Sequence, residues 1–457
     1  EGPIVQIGAA LGSSIAQISR VVTWQRITLL SAGAGAGIAA TFNTPLGAVM
    51  FALELMLPEV SARTFLPVVI ATGSAAYVGR LFFGLQPAFF VDIPPIANEQ
   101  AIDLVNLAAF TLLGLFCGFA SWVFIRTLVV LEEEFSKRLK NEYLRNVVGM
   151  TAIGVMIYLF SITYGHYFVA GVGYGTIQEI LHGHMVEITL LVLLVVAKIL
   201  ATSVSLAAGA SGGVFAPSLF IGAALGGAFG AVMLEFYPGH GVSVAEYAMV
   251  GMAAVVGGGT GAAMTAIVMV FEMTRDYNII IPVIIAVAVA VGVRRTLMAE
   301  NIYTIKLVKR GRRIPKDRHT NIYLVRTARE VMDSNIVILP ADMPIEQVAR
   351  TLGKDDMSDF IIVVENERIF GVVSYESWVH PPTGGKKPRL LRDVAITNTV
   401  LTRENNILED VLRRIGRHEA ELALVVRDKP GVPRAEDVLG VIGKPQIAET
   451  MMKSQIS

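Results

Sequence analysis

Two short segments could set backbone donors in front of a negative ion. Glu1-Gly2-Pro3 opens the chain, and Gly212-Gly213-Val214-Phe215-Ala216-Pro217 offers a similar arrangement further on. Proline in a first helical turn needs no partner for its missing N–H, and glycine ahead of it lets the chain enter tightly. Both segments therefore read as helix starts. The first N–H groups of a helix have no acceptor within it, and with the positive end of the helix dipole they suit an anion. In a bilayer those donors must be met by protein, water or a ligand. Uncharged donors can hold a permeating anion without trapping it. Each segment taken singly also fits an ordinary capped helix end, and Glu1 fits a carboxylate stabilised by the dipole.

Other candidate groups carry less. Lys198 lies inside the apolar run Ile188–Ala208, where a charge is costly and either serves a function, pairs, or snorkels. His182-Gly183-His184 could suggest a metal, but no third ligand stands nearby in sequence, so the pair reads as part of a loop and no metal is expected. No Gly-rich phosphate loop ending in Lys-Ser/Thr appears, and no nucleophile stands near a base, so an enzyme is not expected. Cys117, the single cysteine, cannot form an internal disulfide. With 38 basic and 38 acidic residues the formal charge is zero, which argues against a nucleic-acid partner.

The elements that must position these groups are membrane helices. Apolar residues make up 53% of the chain and charged ones 17%, against roughly 45–50% and about 25% in soluble domains. Leu104–Leu131, Ile188–Ala208 and Ile279–Val293 each come near the ~20 residues that cross a bilayer. After Lys306 the texture becomes that of an ordinary soluble domain, so the membrane part is read as 1–306 and 307–325 as a basic linker. Basic residues flank the last span (Arg294, Arg295) and crowd after it, and Lys137, Arg138, Lys140 and Arg145 follow the Leu104–Leu131 span. By the positive-inside rule both regions, and the tail, face the cytoplasm.

An internal repeat organises the membrane part. Pro3 and Ile7-Gly8-Ala9-Ala10-Leu11-Gly12 recur as Pro217 and Ile221-Gly222-Ala223-Ala224-Leu225-Gly226, and Ala48–Glu54 aligns with Ala266–Glu272. Duplicated, Gly/Pro-interrupted apolar segments point to a transporter fold of inverted repeats, with its site where the broken segments meet. The second copy is read as beginning near Gln100. The chain opens without an initiator Met or a charged leader, so it reads as a fragment whose first copy lacks a similar stretch ahead of Glu1.

Glu1-Gly2-Pro3, Gly213-Val214-Phe215-Ala216-Pro217 and Asn301-Ile302-Tyr303-Thr304 resemble three signature segments of the CLC family of chloride channels and chloride/proton antiporters. The resemblance implies an all-α polytopic membrane unit of inverted-repeat CLC type, one pore per subunit and a homodimer. It implies that Glu1 is the external gating glutamate, whose carboxylate competes with the anion. It further implies that the N–H groups near Glu1 and Gly2, with those of Val214, Phe215 and Ala216, line the anion sites, and that the Tyr303 hydroxyl donates to the central anion. Proton-coupled members carry an inner glutamate where this chain has Leu55, so a gated chloride channel is the expected function, with chloride/proton antiport the alternative. Glu54 and Glu272 are read as holding structural contacts. The intact Glu-Gly-Pro segment favours chloride or nitrate over fluoride.

Residues 326–388 and 389–457 resemble a tandem pair of CBS modules, an α/β pair common after this membrane unit. Ile345–Leu352 and Ile407–Ile415 have helical apolar spacing, while Phe360–Val364 with Ile369–Val373 and Leu422–Val426 with Val438–Ile442 read as strand pairs. Such pairs can bind adenine nucleotides through Ser/Thr-x-x-Asp. Here Ser374-Tyr375-Glu376-Ser377 lacks the Asp and Gly443-Lys444-Pro445-Gln446 lacks both ends, so no cofactor is expected and the tail reads as a packing or dimerisation module. CBS modules also follow divalent-cation transporters, but those need oxygen ligands within the membrane, and the spans offer few.

Overall fold

The computed structural model describes residues 2–57, 60–91, 104–237, 243–309 and 322–456, apart from 352–358, 367, 376, 378–389, 430 and 432. Contacts divide the chain into two units, Glu1–Ile314 and Pro315–Ser457.

The first unit is helical. Its leading part holds α1 (Gly2–Ile18), α2 (Thr23–Phe42), α3 (Pro45–Phe51), which runs into a π turn (Ala52–Met56), and α4 (Ala62–Phe83). Next come α5 (Leu104–Arg138), α6 (Glu142–Tyr164), α7 (Tyr174–Leu181) and α8 (Ile188–Ala207). The closing part holds α9 (Phe215–Phe236), α10 (Val244–Thr260), α11 (Ala263–Thr274), α12 (Ile280–Leu297) and α13 (Thr304–Lys309). Six of these helices are long and apolar enough to cross a membrane. Local chemistry sets their ends: the Asn141 side chain accepts from the N–H groups of Tyr143 and Leu144 to start α6, and Gly165, at φ 70°, stops it.

The span read as Leu104–Leu131 continues to Arg138. Its polar extension is a good helix former stitched by a Glu134–Arg138 ion pair, and Glu132 and Glu133 pair with Lys306 and Lys309 of α13. Lys137 and Arg138 thus stand on a helix rather than in a loop. Helix α13 likewise runs through Lys306, where the composition changes, and packs on the membrane unit.

The repeat governs the packing. A Cβ on Gly8 would lie 2.1 Å from the Gly33 carbonyl oxygen, and one on Gly12 2.2 Å from that of Leu29. In the second copy Gly222 meets Gly251 at 2.3 Å and Gly226 meets Tyr247 at 2.1 Å. Small residues one turn apart thus let α1 lie on α2, and α9 on α10, backbone against backbone. The copies also lock each other. Glu272, on α11, accepts from the N–H groups of Leu46 (3.1 Å) and Gly47 (2.7 Å) at the start of α3. Glu54, in the π turn that continues α3, accepts from Met264 N (3.0 Å), Thr265 N (2.7 Å) and Thr265 Oγ1 (2.7 Å) at the start of α11. Each helix begins where the other ends, so the copies run in opposite senses.

The second unit holds two three-stranded sheets of matching topology. Strands β1 (Ile336–Pro340), β2 (Phe360–Glu365) and β3 (Arg368–Ser374) form one, with β1 parallel and β3 antiparallel to the central β2. Strands β4 (Thr399–Arg403), β5 (Leu422–Val426) and β6 (Val438–Ile442) repeat the pattern. Phe360 and Ile362 of β2 share a core with Leu424 and Val441 of the other sheet. The helices read as Ile345–Leu352 and Ile407–Ile415 are Ile345–Thr351 and Leu408–His418, the latter carrying Arg417 and His418 in its last turn. The parallel strands β1 and β4 escaped the sequence reading because neither stands in a hairpin.

Candidate functional site

The two glycine-marked helix starts come together. A Cβ on Gly2 would sit 2.5 Å from the Gly212 carbonyl oxygen and 3.4 Å from the Gly213 Cα, so the first turn of α1 abuts the loop that feeds α9. Only glycine permits this approach. Phe42, at the end of α2, packs edge-on against Phe215 at 5.4 Å. Helix α9 begins at Phe215 with Val214 at its N-cap, and no side chain caps it. Its first intrahelical bond is Ser218 N to Val214 O, 3.1 Å. The N–H groups of Phe215 and Ala216 donate to no acceptor among the described residues, and Pro217 has none to donate. Val214 and Gly213 are half-buried, Gly212 is exposed, and Phe215, Ala216 and Pro217 are buried. Gly2 and Pro3 are half-buried. Glu1 lies outside the described residues.

Tyr303 is held near this junction through its neighbours. The Asn301 side chain caps α13, accepting from the N–H groups of Tyr303 (3.0 Å) and Thr304 (2.8 Å). Ile302, buried, donates its N–H to the Gly259 carbonyl at 3.1 Å. A Cβ on Gly259 would lie 3.9 Å from Ser218 Oγ, which itself donates to Val214 O at 2.7 Å. The Tyr303 segment is thus bonded to the end of α10, where Gly259 faces Ser218 at the start of α9. Buried Arg294 braces it, donating to Gly258 O (2.9 Å) from Nε and to Met298 O and Ala299 O from Nη1. Tyr303 itself is 37% exposed.

Two residues weighed from sequence find different places. Lys198 is buried, with Nζ donating to the carbonyls of Val169 (3.0 Å) and Gly171 (2.8 Å) and standing 4.7 Å from the centre of the Phe220 ring on α9. It ties the loop before α7 to the back of the helix whose start is exposed to the junction, rather than snorkelling. Leu55 is half-buried in the π turn, beside Glu54, whose carboxylate is committed to the start of α11. His184 Nδ1 lies 2.9 Å from Glu179, and His182 Nε2 lies 3.0 Å from the Gln178 amide nitrogen. Ser218, Phe42 and Arg294 were missed from sequence. Arg294 counted only as a topology signal, although its place at the end of an apolar span could have marked it for burial.

Residues 1–295 match the family described as voltage gated chloride channel, and residues 328–379 match the CBS domain. An H(+)/Cl(-) exchange transporter ClcA of Vibrio campbellii is 33% identical over 312 residues, which cover 66% of this chain and 64% of the relative. A putative chloride channel protein ClcB-like of Ralstonia nicotianae is 28% identical over 313 residues, covering 68% of this chain and 70% of the relative. The chain thus spans 64% of the length of the ClcA relative. Among solved structures, a slow cyanobacterial Cl-/H+ antiporter aligns with a TM-score of 0.59 at 24% identity, covering 67% of this chain and 70% of that one. A eukaryotic CLC transporter aligns with a TM-score of 0.56 at 20% identity, covering 96% and 75%. Both show the same fold.

Proposed function

Because this chain belongs to the voltage gated chloride channel family, we propose that it moves chloride across a membrane in exchange for protons, on backbone donors at the junction of α1 and α9. The observation that carries the anion path is the meeting of Gly2 with Gly212 and Gly213, which brings the start of α1 against the loop that feeds α9, whose own start has no side-chain cap. The exchange reading is supported by the relatives named as H(+)/Cl(-) exchange transporters. In this reading Glu1 competes with chloride for the outer position, the N–H groups of Gly2, Val214, Phe215 and Ala216 receive the anion, and the Tyr303 hydroxyl donates to it. The protein works as a homodimer, with the tail unit on the cytoplasmic side as a packing module that needs no nucleotide. The family match sets aside the divalent-cation reading.

One observation favours a passive channel instead. Leu55 cannot carry a proton, and Glu54 beside it is held by three donors of α11. Flux from liposomes of the full-length protein separates the two readings. A chloride gradient should drive protons uphill, and Glu1→Gln should uncouple the two ions. Chloride current with no proton movement would make it a channel.

A further inference from the structure

Beyond its anion junction the membrane unit carries a strap between its two copies. The segment Leu85–Val91 leaves α4 and is held by the second copy at four points. Arg275 donates to Leu85 O at 2.6 Å, Phe89 N–H donates to Met273 O at 3.1 Å, and buried Phe89 meets Tyr174 edge-on at 5.4 Å. The last hold is two-pronged. Gln178 of α7 accepts from Phe90 N–H with Oε1 (3.1 Å) and donates to Phe90 O with Nε2 (2.5 Å), completing the backbone pairing an adjacent strand would give. Because the strap offers one donor and one acceptor, the orientation of the Gln178 amide is fixed. Its second amide hydrogen then faces His182 Nε2 at 3.0 Å, so this ring nitrogen must be the acceptor.

The geometry points to an acid-sensitive latch. A proton on His182 Nε2 would set donor against donor. An answering turn of the Gln178 amide would present Nε2 to Phe90 N–H and Oε1 to Phe90 O and break both prongs. Latching and protonation of His182 therefore oppose each other, and by linkage each weakens the other. Imidazoles change charge between about pH 5 and 8. The charged and titratable groups around the latch are few. His184 has its ring 5.6 Å from that of His182 and bonds Glu179. The strap has none, while Arg275 and Asp276 follow α11. Of the helices packed on α7, α9 carries Glu235 and α10 carries Glu246 and Tyr247. The strap residues Gln86, Pro87 and Ala88 line a cavity of about 570 Å³ that also reaches Ile4, in the first turn of α1. Release would thus be felt beside the first turn of α1, at the anion junction proposed above.

Hydrogen exchange of full-length protein in nanodiscs tests the latch without relying on transport. After correction for intrinsic rates, the Phe90 N–H should exchange about tenfold faster at pH 5.5 than at pH 7.5. His182→Gln, which keeps an acceptor that cannot be protonated in this range, should hold exchange slow at both values. Gln178→Leu should make it fast at both, and His184→Gln should behave as the unaltered protein. Equal exchange at the two pH values in the unaltered protein, or acid loosening that survives His182→Gln, would overturn the inference.

Discussion

A single buried amine shows how much a residue can depend on distant chain. Lys198 was visible in the sequence as a charge in an apolar span, but its acceptors, Val169 O and Gly171 O, belong to a loop that no periodicity marks. Lys198→Met should leave both carbonyls without this donor and cost about 1–3 kcal/mol for each, read as a lower melting temperature of the purified protein. Tyr303 tests the opposite case. If it is one donor among several backbone N–H groups, Tyr303→Phe should weaken chloride binding about tenfold rather than abolish it, as measured by calorimetric titration. The helix starts were legible at this scale, since glycine and proline announce them. The supporting shell was not, because Ser218, Arg294 and Phe42 are ordinary until folding brings them together.

Between helices, glycine decides how near two axes can come. Gly222→Ala would press a methyl group against the Gly251 carbonyl and force α9 from α10, at about 1–3 kcal/mol. Gly154→Ala, on α6, meets nothing within 4 Å and should be neutral or stabilising by up to about 1 kcal/mol. Thermal melting of the two variants side by side would show the contrast. The repeated Ile-Gly-Ala-Ala-Leu-Gly hexamer made the equivalence of α1 and α9 readable, and hydropathy gave the long spans. Their ends were less legible: α5 runs seven residues beyond Leu131 because ion pairs with α13, remote in sequence, reward the extra turns.

At the scale of the whole molecule, each unit has its own core, the membrane unit around α9 and α10 and the tail around its two sheets. Chloride flux should therefore survive truncation after Ile314 within a few-fold, measured from liposomes at matched protein density. The inverted arrangement was predicted from duplication alone, whereas its fastening by Glu54 and Glu272 emerged only in three dimensions. That fastening shapes which genetic repairs are open. Both carboxylates grip peptide N–H groups, which no codon change can alter, so a charge swap cannot rescue the loss of either. Relief must come from a new acceptor at the helix's own threshold. Thr44 already stands at the threshold of α3, its hydroxyl buried with no partner among the described residues, whereas α11 has Ala262 there. Loss of Glu272 should accordingly be the milder lesion, and a suppressor screen on Glu54→Ala should return Ser or Asp at position 262.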